Sequence, residues 1–239
     1  TANVFLTGDI FDTASPKQES IARFLRLLSD NRDIQFYVWL GNHDMASKLR
    51  HALVISDFIS KSKIIPNLHT YTEPTMTKVG GVPCLFMPYG QFYEPNTAFL
   101  GFGHTGLLGG KNDNGFPIQD APKAKNKKSK WIMGHIHLAQ ETKRAVWPGT
   151  PYQINFGDKL PRFYLYFEAH IVGGRLKLDY EFVESEPPFV LKQRTIRTEE
   201  DFTRVPVYYK KIIPVFWKLR IAKGLTFPRN YMIERPHVI

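Results

Sequence analysis

Two histidines one residue apart, His135 and His137, directly follow the apolar segment Trp131-Ile132-Met133-Gly134. Side chains at positions i and i+2 of an extended segment point the same way, so both imidazoles can reach one small volume at the end of a strand. Imidazole is the commonest metal-binding side chain and accepts Zn, Fe, Mn or Ni alike. The pair alone decides little, because two surface histidines in a turn have the same spacing.

Three other segments deliver polar side chains in the same way, each after an apolar, strand-like run that stops at a glycine. They carry Asp9 and Asp12, then Asn42, His43 and Asp44, then His104. In α/β sheets the crevice at the ends of the strands is where ligands bind. A carboxylate, a carboxamide and several imidazoles form an oxygen-and-nitrogen site for hard or borderline divalent cations.

Taken in order, four motifs resemble those of the calcineurin-like metallophosphoesterases: Gly8-Asp9-x-x-Asp12, Gly41-Asn42-His43-Asp44, the single His104, and Gly134-His135-x-His137. The segment from Trp147 to Asp158 is similar to the one that closes the phosphoesterase domain of SbcD-type DNA repair nucleases. The resemblance covers residues 3–185 and, more faintly, the tail. It implies an α/β fold, a four-layer α/β/β/α sandwich with a small C-terminal α+β cap.

The resemblance also implies a role for each residue of the motifs. Asp9 is expected to bridge two metals, with Asn42, His104 and His135 completing one of them and His137 belonging to the other. Mn²⁺ is the implied metal, two ions in a complete site, with Mg²⁺ or another divalent ion as a substitute. His43 is the expected proton donor or charge stabiliser for the leaving oxygen, Asp44 orients it, and Asp12 lines the site. Two simpler interpretations stay open: Asn42 as a turn residue and Asp12 as a helix cap.

One motif of the family is not found. Metallophosphoesterases begin with Asp-x-His at the end of their first strand, and no such motif lies ahead of Asp9. We therefore expect that these 239 residues lack the N-terminal strand of the domain and do not complete the dinuclear site. Whether the chain alone is active stays open.

The composition favours a polyanionic partner. The chain has 239 residues, a net charge of +10 and a pI near 9.6, although a basic protein without any nucleic-acid role has the same charge. The single cysteine, Cys84, excludes an internal disulfide and fits a reducing compartment. Without an apolar run long enough to span a membrane, the expected location is the cytoplasm of a bacterium or of a phage-infected cell.

The periodicity predicts a strand over 3–6, a helix with Ser15 as N-cap and Asn31 as its stop, and a parallel strand over 35–40. A second helix is predicted over about 47–60, and short strands over 67–71, 75–79 and 82–87. A β-hairpin is predicted from 162 to 183 around Gly173-Gly174. Pro187-Pro188 is the expected boundary between the nuclease domain, 1–187, and a partial capping or DNA-binding domain, 188–239. Within the latter, 189–196, 201–202 and 205–213 suggest α+β structure, and 214–239 stays unassigned.

A basic loop precedes the histidine pair. Residues 111–130 hold almost no core-forming side chains and end in five lysines, Lys123, Lys125, Lys127, Lys128 and Lys130. Such charge runs are usually solvated linkers. Next to a site for phosphodiesters, the same lysines are hypothesised to hold the backbone of a nucleic acid near the entrance to the metals.

These observations favour a metal-dependent DNA exo/endonuclease subunit of an SbcCD-type repair or recombination complex. The resemblance implies three partners: DNA, an SbcC-type ATPase with a coiled coil, and a second copy of the nuclease subunit. The compact length suggests a phage source. Two alternatives remain: a metallophosphoesterase for small phosphodiesters or phosphoproteins, and a catalytically degenerate DNA-binding or scaffolding subunit. The basic loop and the segment 147–158 argue against the first, whereas the absent Asp-x-His motif motivates the second.

Overall fold

The computed structural model describes residues 2–47, 50–198, 200–203 and 215–223. These residues form a mixed α/β structure with several sheets and few helices, as the sequence predicts at that level. The chain divides into two compact units, one of residues 1–149 and 165–181 and the other of residues 150–164 and 182–239. The boundary at Pro187-Pro188 between a nuclease domain and a capping or DNA-binding domain stays a prediction.

The first sheet is built from strand–helix–strand units. Strands β1 (Ala2–Leu6), β2 (Ile34–Trp39) and β3 (Leu68–Tyr71) are parallel in the order β1-β2-β3. Helix α1 (Gln18–Asp30) joins the first two, and α2 (Val54–Lys61) precedes the third. Leu28, Val38, Leu40 and Leu53 are fully or nearly fully buried in the core of this layer.

Both helices begin later than the sequence predicts. Lys17, not Ser15, is the N-cap of α1, and the backbone N–H groups of Ser20 and Ile21 donate to its carbonyl. Asn31 is the C-cap as expected, and its side-chain amide donates to the Leu27 carbonyl at 2.7 Å. Helix α2 starts at Val54 rather than near residue 47, and Met45 and His51 pair instead as an isolated β-bridge ahead of it.

The second sheet has six strands. They lie in the order β4-β5-β6-β7-β9-β8 and are β4 (Thr75–Val79), β5 (Val82–Met87), β6 (Leu100–His104), β7 (Lys130–Gly134), β8 (Gln140–Glu141) and β9 (Ala145–Trp147). Strands β5, β6, β7 and β9 are parallel, and the edge strands β4 and β8 are antiparallel to their neighbours. All of β6 and most of β7 are buried, which explains their apolar sequences.

Aromatic side chains from the two sheets are in contact. The ring of Phe5 stacks on Phe102 with centroids 4.4 Å apart, and Tyr71 stacks on Phe86 at 4.0 Å. Phe5 also stacks on Tyr37 within its own sheet. These contacts hold β1 close to β6 and β3 close to β5, and therefore bring the ends of the strands from both sheets together.

The hairpin β10 (Phe163–Val172) and β11 (Arg175–Glu184) forms a two-stranded sheet, as predicted from its alternating pattern. Gly173 and Gly174 make its turn with φ of 55° and 72°. Within the second unit, β12 (Val190–Ile196) is parallel to β13 (Val215–Ile221), and α3 (Glu200–Thr203) lies between them in the chain. The predicted element at 205–213 lies outside the described residues.

Gln153 organises the segment 150–162 of the second unit. Its buried amide donates to the carbonyls of Asp158 and Leu191 and accepts from the Leu191 N–H at 2.8 Å. The Asp158 carboxylate forms a 2.9 Å ion pair with Arg162, which also donates to the Thr150 hydroxyl at 3.1 Å.

In the part of the chain that is described, no helix is long and apolar enough to cross a membrane.

Candidate functional site

The polar motifs follow the carboxyl ends of four parallel strands. Asp9 comes after β1, Asn42 after β2, His104 ends β6 and His135 follows β7. Because β1–β2 and β6–β7 are each parallel and the two sheets are in contact, these ends lie together. Asp9 and His135 adopt left-handed backbone conformations, with φ of 52° and 80°, which are uncommon for residues other than glycine and occur often at functional sites.

Four of the predicted metal ligands are in mutual contact. His104 Nε2 lies 3.1 Å from Asp9 Oδ2 and 3.0 Å from Asn42 Oδ1, and His135 Nδ1 lies 2.8 Å from the same Asn42 oxygen. His104 is buried. We call these four side chains, Asp9, Asn42, His104 and His135, the strand-end cluster.

Two glycines allow this close approach. A Cβ atom on Gly41 would collide with the carboxylate and backbone nitrogen of Asp9, and one on Gly8 would collide with His104 Nδ1. Gly8 also has a φ of 85°, a conformation that strongly favours glycine. The glycines that end the apolar runs in the sequence are therefore required by contact as well as by backbone geometry.

The charges of the cluster are coupled. Burial raises the pKa of Asp9, but the hydrogen-bonding and electrostatic interactions with His104, together with the backbone N–H of His43, outweigh it and hold that pKa below the ordinary range. Burial and the neighbouring His104 lower the pKa of His135. Near neutral pH the cluster thus presents an ionised carboxylate beside a neutral imidazole.

The polar atoms around Nε2 of His104, from Asp9 and Asn42, are hydrogen-bond acceptors, so their lone pairs face the lone pair of that nitrogen. His104 Nδ1 lies 2.5 Å from the Thr7 carbonyl, which can only accept, so Nδ1 carries a proton. Its Nε2 then faces two oxygen acceptors, one from Asp9 and one from Asn42, with the Asn42 amide oxygen turned towards both imidazoles. Such a set is satisfied by a second proton on His104 or by a cation among the three atoms. In chemical kind, the carboxylate, amide oxygen and imidazole groups suit a divalent cation.

The described residues nevertheless contain no group of three or more His, Cys, Asp or Glu side chains spaced to hold a metal ion. The four side chains of the strand-end cluster contact each other directly instead. Metal binding therefore stays a prediction, and it rests on the electron-pair arrangement around His104.

Asp44 has different partners from those expected. Its fully buried carboxylate accepts the backbone N–H groups of Gly41, Phe11 and Ile10 at 2.9, 3.0 and 3.3 Å. Burial raises its pKa, and the three N–H groups offset only part of that effect. Asp44 thus ties the loop after β1 to the loop after β2, which is a positioning task for the whole cluster rather than the orientation of His43.

The carboxylate beside His43 is that of Asp12. His43 Nδ1 lies 3.3 Å from Asp12 Oδ1, and the His43 ring is half exposed, while Asp12 is on the surface. The backbone N–H of His43 donates to Asp9 Oδ1 at 2.8 Å, which fixes the ring next to the cluster. His43 is therefore the most exposed imidazole of the motifs, and it has a carboxylate 3.3 Å from its ring.

His137 is in contact with Asp113, a residue that sequence reasoning missed. Asp113 Oδ1 accepts the His137 backbone N–H at 2.6 Å, and Oδ2 lies 3.5 Å from the ring nitrogen Nδ1. Nothing in the polar loop Lys111-Asn112-Asp113-Asn114-Gly115 distinguishes this aspartate from a solvated turn residue. Tyr89 was also missed, although it follows β5 and precedes Gly90, the same signal that identifies the other site residues; its ring lies 5.9 Å from His135 and 6.3 Å from His104.

The five lysines of the basic loop do not all lie near the strand-end cluster. Lys130 begins β7, whereas His135 follows the end of that strand. At about 3.3 Å per residue, the two ends of this five-residue strand lie about 13 Å apart. Lys127 and Lys128 precede Lys130 and are therefore at the far end of β7. Lys123 lies nearer the site, because the Pro122 carbonyl accepts the N–H of Leu108, four residues beyond β6.

Comparison with known proteins gives one relevant similarity. No protein-family model matches the chain. The chain is 27% identical to exonuclease subunit 1 of Enterobacteria phage T4 in an alignment of length 184 that covers 68% of this chain and 51% of that protein. The chain therefore spans about half the length of the relative that it matches.

Proposed function

We propose that this chain is the nuclease portion of a DNA exonuclease subunit and hydrolyses phosphodiester bonds at the strand-end cluster. The observation that carries the proposal is the convergence of Asp9, Asn42 and His104, whose electron pairs face one another within 3.1 Å. The similarity to a phage exonuclease subunit supports the same activity. The aromatic contacts between the two sheets support the four-layer sandwich of the calcineurin-like metallophosphoesterases.

A divalent cation, Mn²⁺ in this proposal, would be held by His104 Nε2, Asp9, Asn42 and His135. When bound it supplies Lewis-acid chemistry towards a phosphodiester. Asp9 contributes an ionised carboxylate because its pKa is lowered, and His135 contributes a neutral imidazole because its pKa is lowered too. The Thr7 carbonyl holds the proton of His104 on Nδ1 and so keeps Nε2 available as a ligand. In the same scheme, His137 and Asp9 would be ligands of a second metal.

His43 supplies the proton for the leaving oxygen. In hydrolysis, a water oxygen forms a bond to phosphorus, the P–O bond to the leaving nucleotide breaks, and that oxygen takes a proton from the His43 imidazolium. Asp12 lies 3.3 Å from Nδ1 of the ring, which leaves Nε2 as the nitrogen that serves the leaving oxygen. The proton lost by the attacking water passes to solvent, so the charges balance.

The partners follow from the proposed role. A subunit of an exonuclease works with another protein, and an SbcC-type ATPase is the proposed one, while residues 188–239 are proposed to belong to a cap that grips DNA. A second copy of the chain is the other proposed partner. The exposed apolar side chains of α2, Val54, Ile55 and Phe58, offer an apolar surface for such a contact.

Mn²⁺ titration of the 239-residue chain, followed by calorimetry, tests the proposal. We expect one Mn²⁺ site, lost in His104→Ala and retained in His170→Ala, since His170 is exposed on β10. In parallel, a labelled DNA duplex and a chromogenic phosphodiester are offered with Mn²⁺ and with a chelator. Two equally tight sites would contradict the assignment of ligands. DNA binding without any metal site would instead favour the degenerate scaffolding subunit.

A further inference from the structure

Several lysine and arginine side chains lie at the amino end of β7, the opposite end of that strand from the strand-end cluster. Lys127 and Lys128 precede the strand. The turn that carries Lys143 and Arg144 reaches the same place, because the Arg144 carbonyl accepts the Trp131 N–H at 2.8 Å and its guanidinium donates to the Lys127 carbonyl at 3.1 Å.

The start of β11 adds two further cations to this place. The Leu176 N–H donates to the Lys128 carbonyl at 3.2 Å, so Arg175 and Lys177 flank the basic loop. We call this surface the basic edge, and it consists of Lys127, Lys128, Lys143, Arg144, Arg175 and Lys177. All six residues belong to the first compact unit.

The backbone beneath the basic edge is held in place. The Glu94 carboxylate accepts the N–H groups of Lys125 and Asn126 at 2.6 and 3.1 Å, and the indole N–H of the buried Trp131 at 3.0 Å. The Asn126 amide donates to two carbonyls at 2.7 Å. The lysines are therefore carried by a loop whose backbone is held by hydrogen bonds rather than by a solvated linker.

The charges on this surface are accessible. Lys127, Lys128, Lys143 and Arg175 are exposed, and within the described ranges none of the four forms an ion pair. Lys177 lies 3.4 Å from Asp179, but both are exposed, and such pairs are worth little. Lys130 differs, because its ammonium donates to the Tyr180 hydroxyl at 2.8 Å and lies over that ring.

We propose that the basic edge binds the phosphate backbone of duplex DNA at a place separate from the strand-end cluster. Exposed Lys and Arg side chains on an ordered backbone are what phosphate contacts require, and such contacts position a duplex without reading its sequence. With the two ends of β7 about 13 Å apart, a duplex at the basic edge extends beyond the reacting phosphate by several base pairs. The choice of DNA rests on the proposed function; an acidic protein is the competing occupant.

The test compares two triple variants that remove equal charge. Lys127→Ser, Lys128→Ser and Lys143→Ser change the basic edge, and Lys17→Ser, Arg26→Ser and Lys78→Ser change equally exposed cations elsewhere. Binding to a fluorescent duplex of about 30 base pairs is measured in a chelator at several salt concentrations. Each phosphate contact contributes about −0.9 to the slope of log K against log salt, so the edge variant should flatten that slope by up to about 2.7. The control variant should keep the parental slope.

Equal slopes for the two variants would overturn the proposal. So would an edge variant that keeps DNA binding but loses affinity for a polyglutamate peptide, because that result assigns the surface to an acidic protein. The measurement is independent of catalysis. If His104→Ala and the parent show the same edge effect but neither cleaves DNA with Mn²⁺, the proposed nuclease function fails while the binding surface stands.

Discussion

At the carboxyl end of β7, His135 lies against Asn42 in a cluster whose members are interlocked and partly buried, whereas at the amino end Lys127 and Lys128 extend into solvent from a fixed loop. The first arrangement suits chemistry at a single atom, because every donor has a defined neighbour at about 3 Å. The second suits binding over a distance, because several unpaired charges act together. A single strand thus connects the proposed reaction site with the proposed DNA-binding surface.

The two ends also respond differently to substitution. At the carboxyl end, replacing a single side chain is expected to cause a large loss of turnover or of folding stability. At the amino end, charge is distributed over six residues, and each one is expected to contribute a small, similar part.

The largest effect is expected for His43→Ala. A general acid contributes about 10²–10⁴-fold to turnover, and the half-exposed His43 ring makes no contribution to the core. Nuclease turnover of the complete subunit should fall by that factor while the free energy of unfolding and the affinity for DNA stay unchanged. Asp12→Ala, which removes only the neighbour at 3.3 Å, should cause a smaller loss. Retention of half the turnover in His43→Ala would refute the assigned role.

Asp44→Ala is expected to act through stability instead. The substitution leaves three backbone N–H groups without the carboxylate that they share, two of them at 3.0 Å or less. Each unsatisfied buried group costs about 1–3 kcal/mol, so the free energy of unfolding should fall by about 3 kcal/mol or more. Urea denaturation measures it, with Asp57→Ala on α2 as the matched control. Parental stability combined with lost turnover would return Asp44 to the role of orienting His43.

These two aspartates show what the sequence could and could not predict. The motifs identified Asp9, Asn42, His104 and His135, because strand ends in parallel sheets are brought together by topology. They could not divide roles between Asp12 and Asp44, since only packing shows that Asp44 is buried and that Asp12 lies against His43. Thr7 was beyond reach for another reason: it acts through its backbone carbonyl, which side-chain identity does not encode.

The secondary structure, too, could be predicted only in part from the sequence. Buried strands such as β6 were predicted from apolar runs, because a parallel strand buried on both faces has that composition. The start of α1 was misplaced, since Ser15-Pro16 is a common helix start but the chain enters the helix two residues later at Lys17. The location of the lysines was missed as well, because a run of charge indicates exposure and not the end of the sheet at which it lies.

Glu94→Ala tests whether the loop beneath the basic edge must be ordered. The substitution removes the acceptor of two backbone N–H groups and of the Trp131 indole. We expect a loss of about 1–2 kcal/mol in the free energy of unfolding and more rapid hydrogen exchange at Lys125 and Asn126. Glu94→Gln keeps an acceptor oxygen and should retain part of the stability. Unchanged exchange in Glu94→Ala would mean that the loop is held by other contacts.

The smallest effect is expected for Tyr180→Phe, which alters the one lysine of the run that is held by a partner. The Tyr180 hydroxyl accepts from Lys130 at 2.8 Å and donates to Glu141, so its removal should lower the free energy of unfolding by about 1 kcal/mol at neutral pH.

Burial and the hydrogen bond to Glu141 raise the pKa of Tyr180 to about 12, above its ordinary value near 10. Because the pKa is raised in the folded state, this contribution is fully present below about pH 10 and is lost as the pH rises towards 12. The difference in stability between the parent and Tyr180→Phe should therefore be constant up to about pH 10 and shrink above it, as measured by urea denaturation at several pH values. DNA binding should be unaffected, since Lys130 is not part of the basic edge. A difference that grows with pH would show that the hydroxyl is easier to ionise in the folded chain than in the unfolded one, contrary to the hydrogen bond assigned here.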